Sequence, residues 1–153
     1  MVYLSLGSNT GDRRRYIETA LAELETALEV PPARVSAIIE TPSWGFDAPP
    51  FLNCAAAFGW PGEDPFRLLD ICKEIERKLG RTGGPEYDKS GRRIYHSRTI
   101  DIDILFFDSL RLDTPRLTIP HKLISKRDFV KIPLAEIADA EIRGQFPDIF
   151  ETI

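Results

Sequence analysis

Cysteine, histidine and long apolar runs are all scarce in this 153-residue chain, and each scarcity narrows what it can be. The two cysteines, Cys54 and Cys72, each sit in an apolar-periodic segment, so they read as reduced core thiols rather than a disulfide framework. With only His96 and His121 to add, the ligands are too few for a zinc site. No apolar stretch approaches the roughly 20 residues of a membrane span, and Met1 to Gly7 lacks a basic region and a cleavage site. A cytoplasmic protein without a membrane partner is expected. Gly-x-x-x-x-Gly-Lys-Ser/Thr and Gly-x-Gly-x-x-Gly are both absent, so any nucleotide must be held by side chains and metal instead of a glycine cradle. A formal charge of −4 argues against a general nucleic-acid binder. Positive charge nevertheless gathers between Arg77 and Arg98 and again from Lys122 to Lys131, which suits a small polyanion.

What is present is ordinary globular composition, 42% hydrophobic and 29% charged, with a length that fits one domain over residues 1–153. Met1 to Leu6 reads as a strand, ended by a turn at Gly7-Ser8-Asn9-Thr10-Gly11. Asp12 then caps a helix whose Ile17, Ala20, Leu21, Leu24 and Leu28 share a face, and Pro31-Pro32 stops it. Arg34 to Glu40 and Phe51 to Trp60 read as strands joined by a proline-rich loop. A second helix starts at Asp64-Pro65, carries a stripe of Phe66, Leu69, Cys72, Ile75 and Leu79, and ends at Gly80. After a polar loop from Arg81 to Ser97 comes the strand Arg98 to Phe107. The order β-α-β-β-α-β predicts a ferredoxin-like antiparallel sheet in the α/β (α+β) class, with helices on one face and the other free. Residues 108–153 are expected as a short extension packed on one edge.

Within the last strand, Asp101 and Asp103 alternate with Ile100, Ile102 and Ile104. At roughly 3.3 Å per residue the carboxylates share one face about 6.6 Å apart, while the isoleucines face a core. Two like charges on an apolar strand are costly to desolvate unless cations accompany them. Magnesium prefers one or two carboxylates completed by phosphate oxygens and water, so the pair predicts a nucleotide-metal site. Shortly downstream, Arg116-Leu117-Thr118-Ile119-Pro120-His121-Lys122 and Arg127-Asp128-Phe129 gather cations, a hydroxyl and an imidazole of the kind phosphate oxygens need.

The combination Arg98-x-x-Asp101-x-Asp103-Ile104 followed by Arg116-Leu117-Thr118-Ile119-Pro120-His121 resembles the signature of the hydroxymethyl-dihydropterin pyrophosphokinases of folate biosynthesis. The likeness extends to Leu6-Gly7-Ser8-Asn9, Thr41-Pro42, Phe51-Leu52-Asn53, Gly80-Arg81 and Pro133-Leu134. It implies transfer of pyrophosphate from ATP to the pterin hydroxymethyl group, leaving AMP. By the same resemblance Asp101 and Asp103 hold two magnesium ions, and Arg81, Arg98 and His121 are catalytic. Lys73, the backbone at Ile104, Arg116, Thr118, His121 and Arg127 hold ATP. Thr41, Pro42, Trp44 and Gly45 line the pterin pocket, where Phe51 and Phe129 sandwich the ring, Asn53 bonds its amide edge and Tyr95 closes over it. A monomer acting on small molecules is expected.

The sequence departs from that family in places. Thr82 to Ser97 is longer than in the shorter members, and Tyr95-His96-Ser97 stands where they have Trp-Gly-Pro. Trp44 replaces a smaller apolar residue, and Lys73 a glutamine. Lys89, Arg92 and Arg93 all lie in the loop that carries the family's mobile arginine, and the Gly83-Gly84 and Ser90-Gly91 pairs fit a segment that closes over bound nucleotide. Two other readings stay open on the residues alone. One is an inactive ferredoxin-like binding module; the other is an Asp-x-Asp nucleotidyltransferase, which releases pyrophosphate instead of AMP.

Overall fold

A computed structural model of the chain describes residues 1–41, 50–80, 99–151 and, as backbone, 86–87 and 93–94. The elements in chain order are β1 (Val2–Ser8), α1 (Arg13–Leu28), β2 (Pro32–Val35), β3 (Ile39–Thr41), β4 (Phe51–Phe58), α2 (Pro65–Lys78), β5 (Glu86–Tyr87), β6 (Arg93–Ile94) and β7 (Asp101–Phe107). After them come β8 (Leu112–Asp113), β9 (Thr118–Ile119), a 3-10 turn at Ile124–Lys126, α3 (Asp128–Ile137), α4 (Ala140–Gln145) and α5 (Pro147–Phe150).

The main sheet runs β2-β4-β1-β7, with β3 also on β4, and every pairing in it is antiparallel. This is the expected ferredoxin-like arrangement. Alternation does the sorting: Leu4, Leu6, Cys54, Ala56, Ile102 and Ile104 point to the face covered by α1 and α2, where they pack with Ile17, Leu24, Leu68 and Cys72. Asp12 caps α1 by accepting from the Arg15 N–H at 3.2 Å, and Asp64 caps α2 by accepting from the Phe66 N–H at 2.9 Å. Gly80 follows α2 at φ +104°, a conformation that only glycine adopts cheaply.

Four local expectations need correction. β1 continues through Gly7 and Ser8, because both pair with β4 and Gly7 also pairs with β7. The strand expected over Arg34 to Glu40 is two, β2 and β3, which lie along successive halves of β4. On α2 the fully buried residues are Leu68, Cys72, Ile75 and Glu76, while Phe66, Leu69 and Leu79 are only partly covered. Finally, the C-terminal extension does not sit on an edge. Val130, Leu134, Ile137, Ile142, Phe146 and Phe150 bury Tyr3, Ala55, Ala57, Leu105 and Phe106, and so close one end of the second sheet face. A register shift between Tyr3 and Leu4, where β7 carries one extra residue, lets Leu105 and Phe106 both join that second cluster. Among the described residues, the other end of that face is left uncovered.

Both thiols are free and buried, and burial pushes Cys54 up to about 12 and raises Cys72 as well. Neither thiol should react with a chromogenic disulfide reagent in the native protein, and both should react once denaturant is added. Reaction of one equivalent under native conditions would contradict this packing.

Candidate active site

The register of three strands builds the open end of the second face. Gly7 of β1 lies opposite Asn53 of β4 on one side and Asp101 of β7 on the other; Ser5 lies likewise between Ala55 and Asp103. Ile39 of β3 lies opposite Asn53 and continues that row, and two residues further along Thr41 pairs with Phe51. With strands about 4.8 Å apart, Asn53 and Asp101 stand about 10 Å apart across Gly7. A polar recognition group and a carboxylate pair thus share one surface.

Asp101 and Asp103 are both partly exposed, as the alternation requires. The Asp103 carboxyl is nevertheless set deep in the protein, and its pKa is raised, first by burial and then by the charge of Asp101, with Arg127 only partly offsetting them. Like charge brought together in this way favours the approach of a cation. Hard oxygen donors of this kind fit magnesium. Among the described residues no cluster of three or more such ligands occurs, so the protein offers a pair and leaves positions for phosphate oxygens and water.

Hydrogen-bond donors approach from the segment after β9. His121 Nε2 and Arg127 Nη1 each lie 4.0 Å from a carboxylate oxygen of Asp103. His121 Nδ1 accepts the Leu123 N–H at 3.2 Å, which leaves the proton on Nε2, the nitrogen facing Asp103. Burial, and after it Arg127, lowers the His121 pKa, so the imidazole is a neutral donor. The His121 N–H in turn donates to the Leu105 carbonyl at 3.1 Å, which ties the segment to the outer edge of β7.

Beside this edge, α2, β7 and the β8-β9 hairpin enclose a cleft of about 990 Å³ lined by Lys73, Asp103, Ile104, Arg116, Thr118 and His121. That is the upper end of the range for small-molecule sites, large enough for a nucleoside triphosphate. Five of the six residues expected to hold ATP therefore meet in one cavity, with Arg127 beside it at Asp103. Arg116 is engaged across the cleft, ion-paired with Asp70 and stacked 5.6 Å from the centre of the Phe66 ring. Thr118 Oγ1 donates to Asp113 Oδ1 at 3.4 Å.

On the other side of Gly7, Asn53 is buried and its Nδ2 donates to Thr41 Oγ1 at 3.0 Å. Only glycine permits this: a Cβ on Gly7 would come within 2.7 Å of Asn53 Oδ1. Phe51 is half-buried at the start of β4, and Phe129 is half-buried in the first turn of α3, with the Arg127 guanidinium 5.5 Å from its ring centre. The expected site residues Pro42, Trp44, Gly45, Arg81, Tyr95 and Arg98, together with Lys89 and Arg92, lie outside the described residues. Of the expected polar loop, the backbone of β5 pairs with that of β6.

Three contributors escape a reading of the sequence. Gly7 resembles a turn glycine. Arg13, one of three consecutive arginines, donates to the Pro50 carbonyl at 2.8 Å and pairs with Glu40 at 3.0 Å, so it ties together the two ends of segment 42–49. Glu76 resembles a surface helix residue but is buried, and the one signal for it was its position four residues after Cys72 on the apolar stripe.

An antiparallel α+β sandwich whose sheet carries a carboxylate pair facing cations across a nucleotide-sized cleft is the frame of a small transferase of phosphoryl-type groups. The family model of 7,8-dihydro-6-hydroxymethylpterin-pyrophosphokinase matches residues 3–139. A 2-amino-4-hydroxy-6-hydroxymethyldihydropteridine pyrophosphokinase of Porphyromonas gingivalis is 42% identical over 140 residues, 90% of either chain. Enzymes of that same name from Bacillus subtilis and Methylorubrum extorquens are 38% and 37% identical, over 90% and 94% of this chain and 77% and 86% of theirs. The chain belongs to the hydroxymethyl-dihydropterin pyrophosphokinase family, and it is a transferase with the pyrophosphokinase activity of folate biosynthesis. No helix among the described residues is long and apolar enough to cross a membrane.

Proposed function

We propose that residues 1–153 act as one domain that transfers the β,γ-pyrophosphoryl group of ATP to the hydroxymethyl oxygen of 6-hydroxymethyl-7,8-dihydropterin, giving AMP and the pterin pyrophosphate. The observation that carries this reading is the row Asn53-Gly7-Asp101, which sets a recognition amide and a carboxylate pair about 10 Å apart on one surface beside the cleft. That spacing suits a bicyclic ring joined through a hydroxymethyl group to a triphosphate.

Asp101 and Asp103 would hold two magnesium ions, which when bound neutralise the triphosphate and align the reacting oxygens. His121 donates from Nε2 to a phosphate oxygen, and Arg127 adds positive charge beside it. Arg81 and Arg98 stabilise charge on the transferred group and on departing AMP. Lys73, Arg116, Thr118 and the backbone of Ile104 hold the nucleoside end. Edge-strand alternation supports the last of these: the Ile102 N–H points outward, so the N–H and C=O of Ile104 do too. Phe51 and Phe129 grip the pterin faces, Asn53 bonds its edge, and Thr41, Pro42, Trp44, Gly45 and Tyr95 complete the pocket. The hydroxymethyl oxygen attacks the β-phosphorus, the bond from that phosphorus to the α,β-bridging oxygen breaks, AMP takes the electron pair, and the hydroxyl proton passes to solvent.

ATP labelled at the α-phosphorus distinguishes this reaction from its neighbours. Label should emerge in AMP; label in ADP would indicate simple phosphoryl transfer, and label joined to the pterin would indicate nucleotidyl transfer. A second expectation concerns Gly7→Ala. Its methyl group displaces the Asn53 amide, so KM for the pterin should rise about tenfold with KM for ATP unchanged. Steady-state kinetics in both substrates check it, and an unchanged pterin KM would contradict the placement of Asn53.

A further inference from the structure

The buried carboxylate of Glu76 is left unexplained by any of these assignments. Glu76 is 2% exposed on the face of α2 that carries Leu68 and Cys72, where an ionised side chain is least expected. Its two oxygens have separate work. Oε2 accepts the backbone N–H of Ile102 at 2.8 Å, and Oε1 lies 3.5 Å from Nζ of Lys73, a half-exposed residue that lines the cleft.

Ile102 is the residue between Asp101 and Asp103, and β7 is the terminal strand of the sheet. Among the described residues its outward N–H has no neighbouring strand to bond, and an edge peptide with no partner is free to shift or twist. Glu76 stands in for the missing strand at the one peptide that sets where both carboxylates point. The geometry points to Glu76 as a positioning residue for the carboxylate pair: it fastens the Asp101-Ile102-Asp103 segment to α2 and, through Lys73, ties one wall of the cleft to that strand. This inference rests on the reading of Asp101 and Asp103 as the metal pair. Neither Leu nor Ala at position 76 could accept the Ile102 N–H, whereas Gln keeps an acceptor oxygen at the same reach.

The test uses the whole chain with Mn²⁺ and α,β-methylene-ATP, a nucleotide whose α,β linkage cannot be cleaved, and follows bound Mn²⁺ by electron paramagnetic resonance. Glu76→Leu should weaken nucleotide-dependent Mn²⁺ binding more than tenfold, and Glu76→Gln should restore it to within about threefold of the wild type. Partial unfolding would lower the number of sites per chain without changing the dissociation constant of the folded molecules, so the constant is the quantity read. Hydrogen exchange at the Ile102 amide should quicken in Glu76→Leu and not in Glu76→Gln. Equal Mn²⁺ affinity in the wild type and Glu76→Leu would overturn the inference and leave the metal pair standing. Equal weakening in Gln and Leu variants would overturn it too, since charge rather than the hydrogen bond would then matter. Absence of nucleotide-dependent Mn²⁺ binding in the wild type would overturn the reading of the pair and this inference with it.

Discussion

Replacing Asp103 by alanine should lower turnover at least about a thousandfold while the fold and its melting temperature stay as they were. Both halves of that expectation come from the alternation of β7. Ile102 and Ile104 hold the strand in the core beneath α2, so the face that carries Asp101 and Asp103 contributes little to packing. Removing one carboxylate also relieves the repulsion that raises the pKa of Asp103, so stability should not fall. The catalytic loss is large because neither His121 nor Arg127 can replace an oxygen ligand. Asp101→Ala should behave alike. Circular dichroism melting alongside kcat at ordinary magnesium concentrations separates the two effects; near-normal turnover in either variant would remove the metal assignment.

Asn53→Ala should instead act on binding, raising KM for the pterin by roughly thirty- to a hundredfold and changing kcat by less than about threefold. The amide is buried, held by Thr41 Oγ1, and fixed over Gly7, so it meets the ring already oriented. Its loss leaves the donors and acceptors along the ring edge without their partner, which costs about 2–3 kcal/mol for two such bonds. Asn53 stands two strands from Asp101, too far to touch the reacting phosphorus, hence the small effect on kcat. A variant whose kcat collapsed while pterin KM held would place Asn53 in the chemistry instead of the pocket.

The legible parts of this site are those whose physics is local. Asp101 and Asp103 declare themselves because a period of two sorts carboxylates from isoleucines within one strand. Asp12, Asp64, Pro65 and Gly80 mark helix ends for equally local reasons. What sequence cannot display is register between strands far apart in the chain: that Gly7 separates Asn53 from Asp101 follows from two pairings, not from any pattern around Gly7. Glu76 is hidden for the same reason, since its burial depends on β7 being an edge strand with an N–H to satisfy. The pairing of Arg116 with Asp70 joins segments 46 residues apart, and the covering of Tyr3 and Phe106 by the C-terminal helices depends on tertiary packing that short, proline-interrupted segments do not signal.

Phosphorus NMR of a mixture of the protein, ATP, magnesium and 6-hydroxymethyl-7,8-dihydropterin tests the central claim most directly. The triphosphate resonances should give way to those of AMP and of a pterin-linked diphosphate in equal amounts, with none of this in the absence of magnesium or in Asp103→Ala. Formation of ADP, release of free pyrophosphate, or an unchanged ATP spectrum in the complete mixture would contradict it.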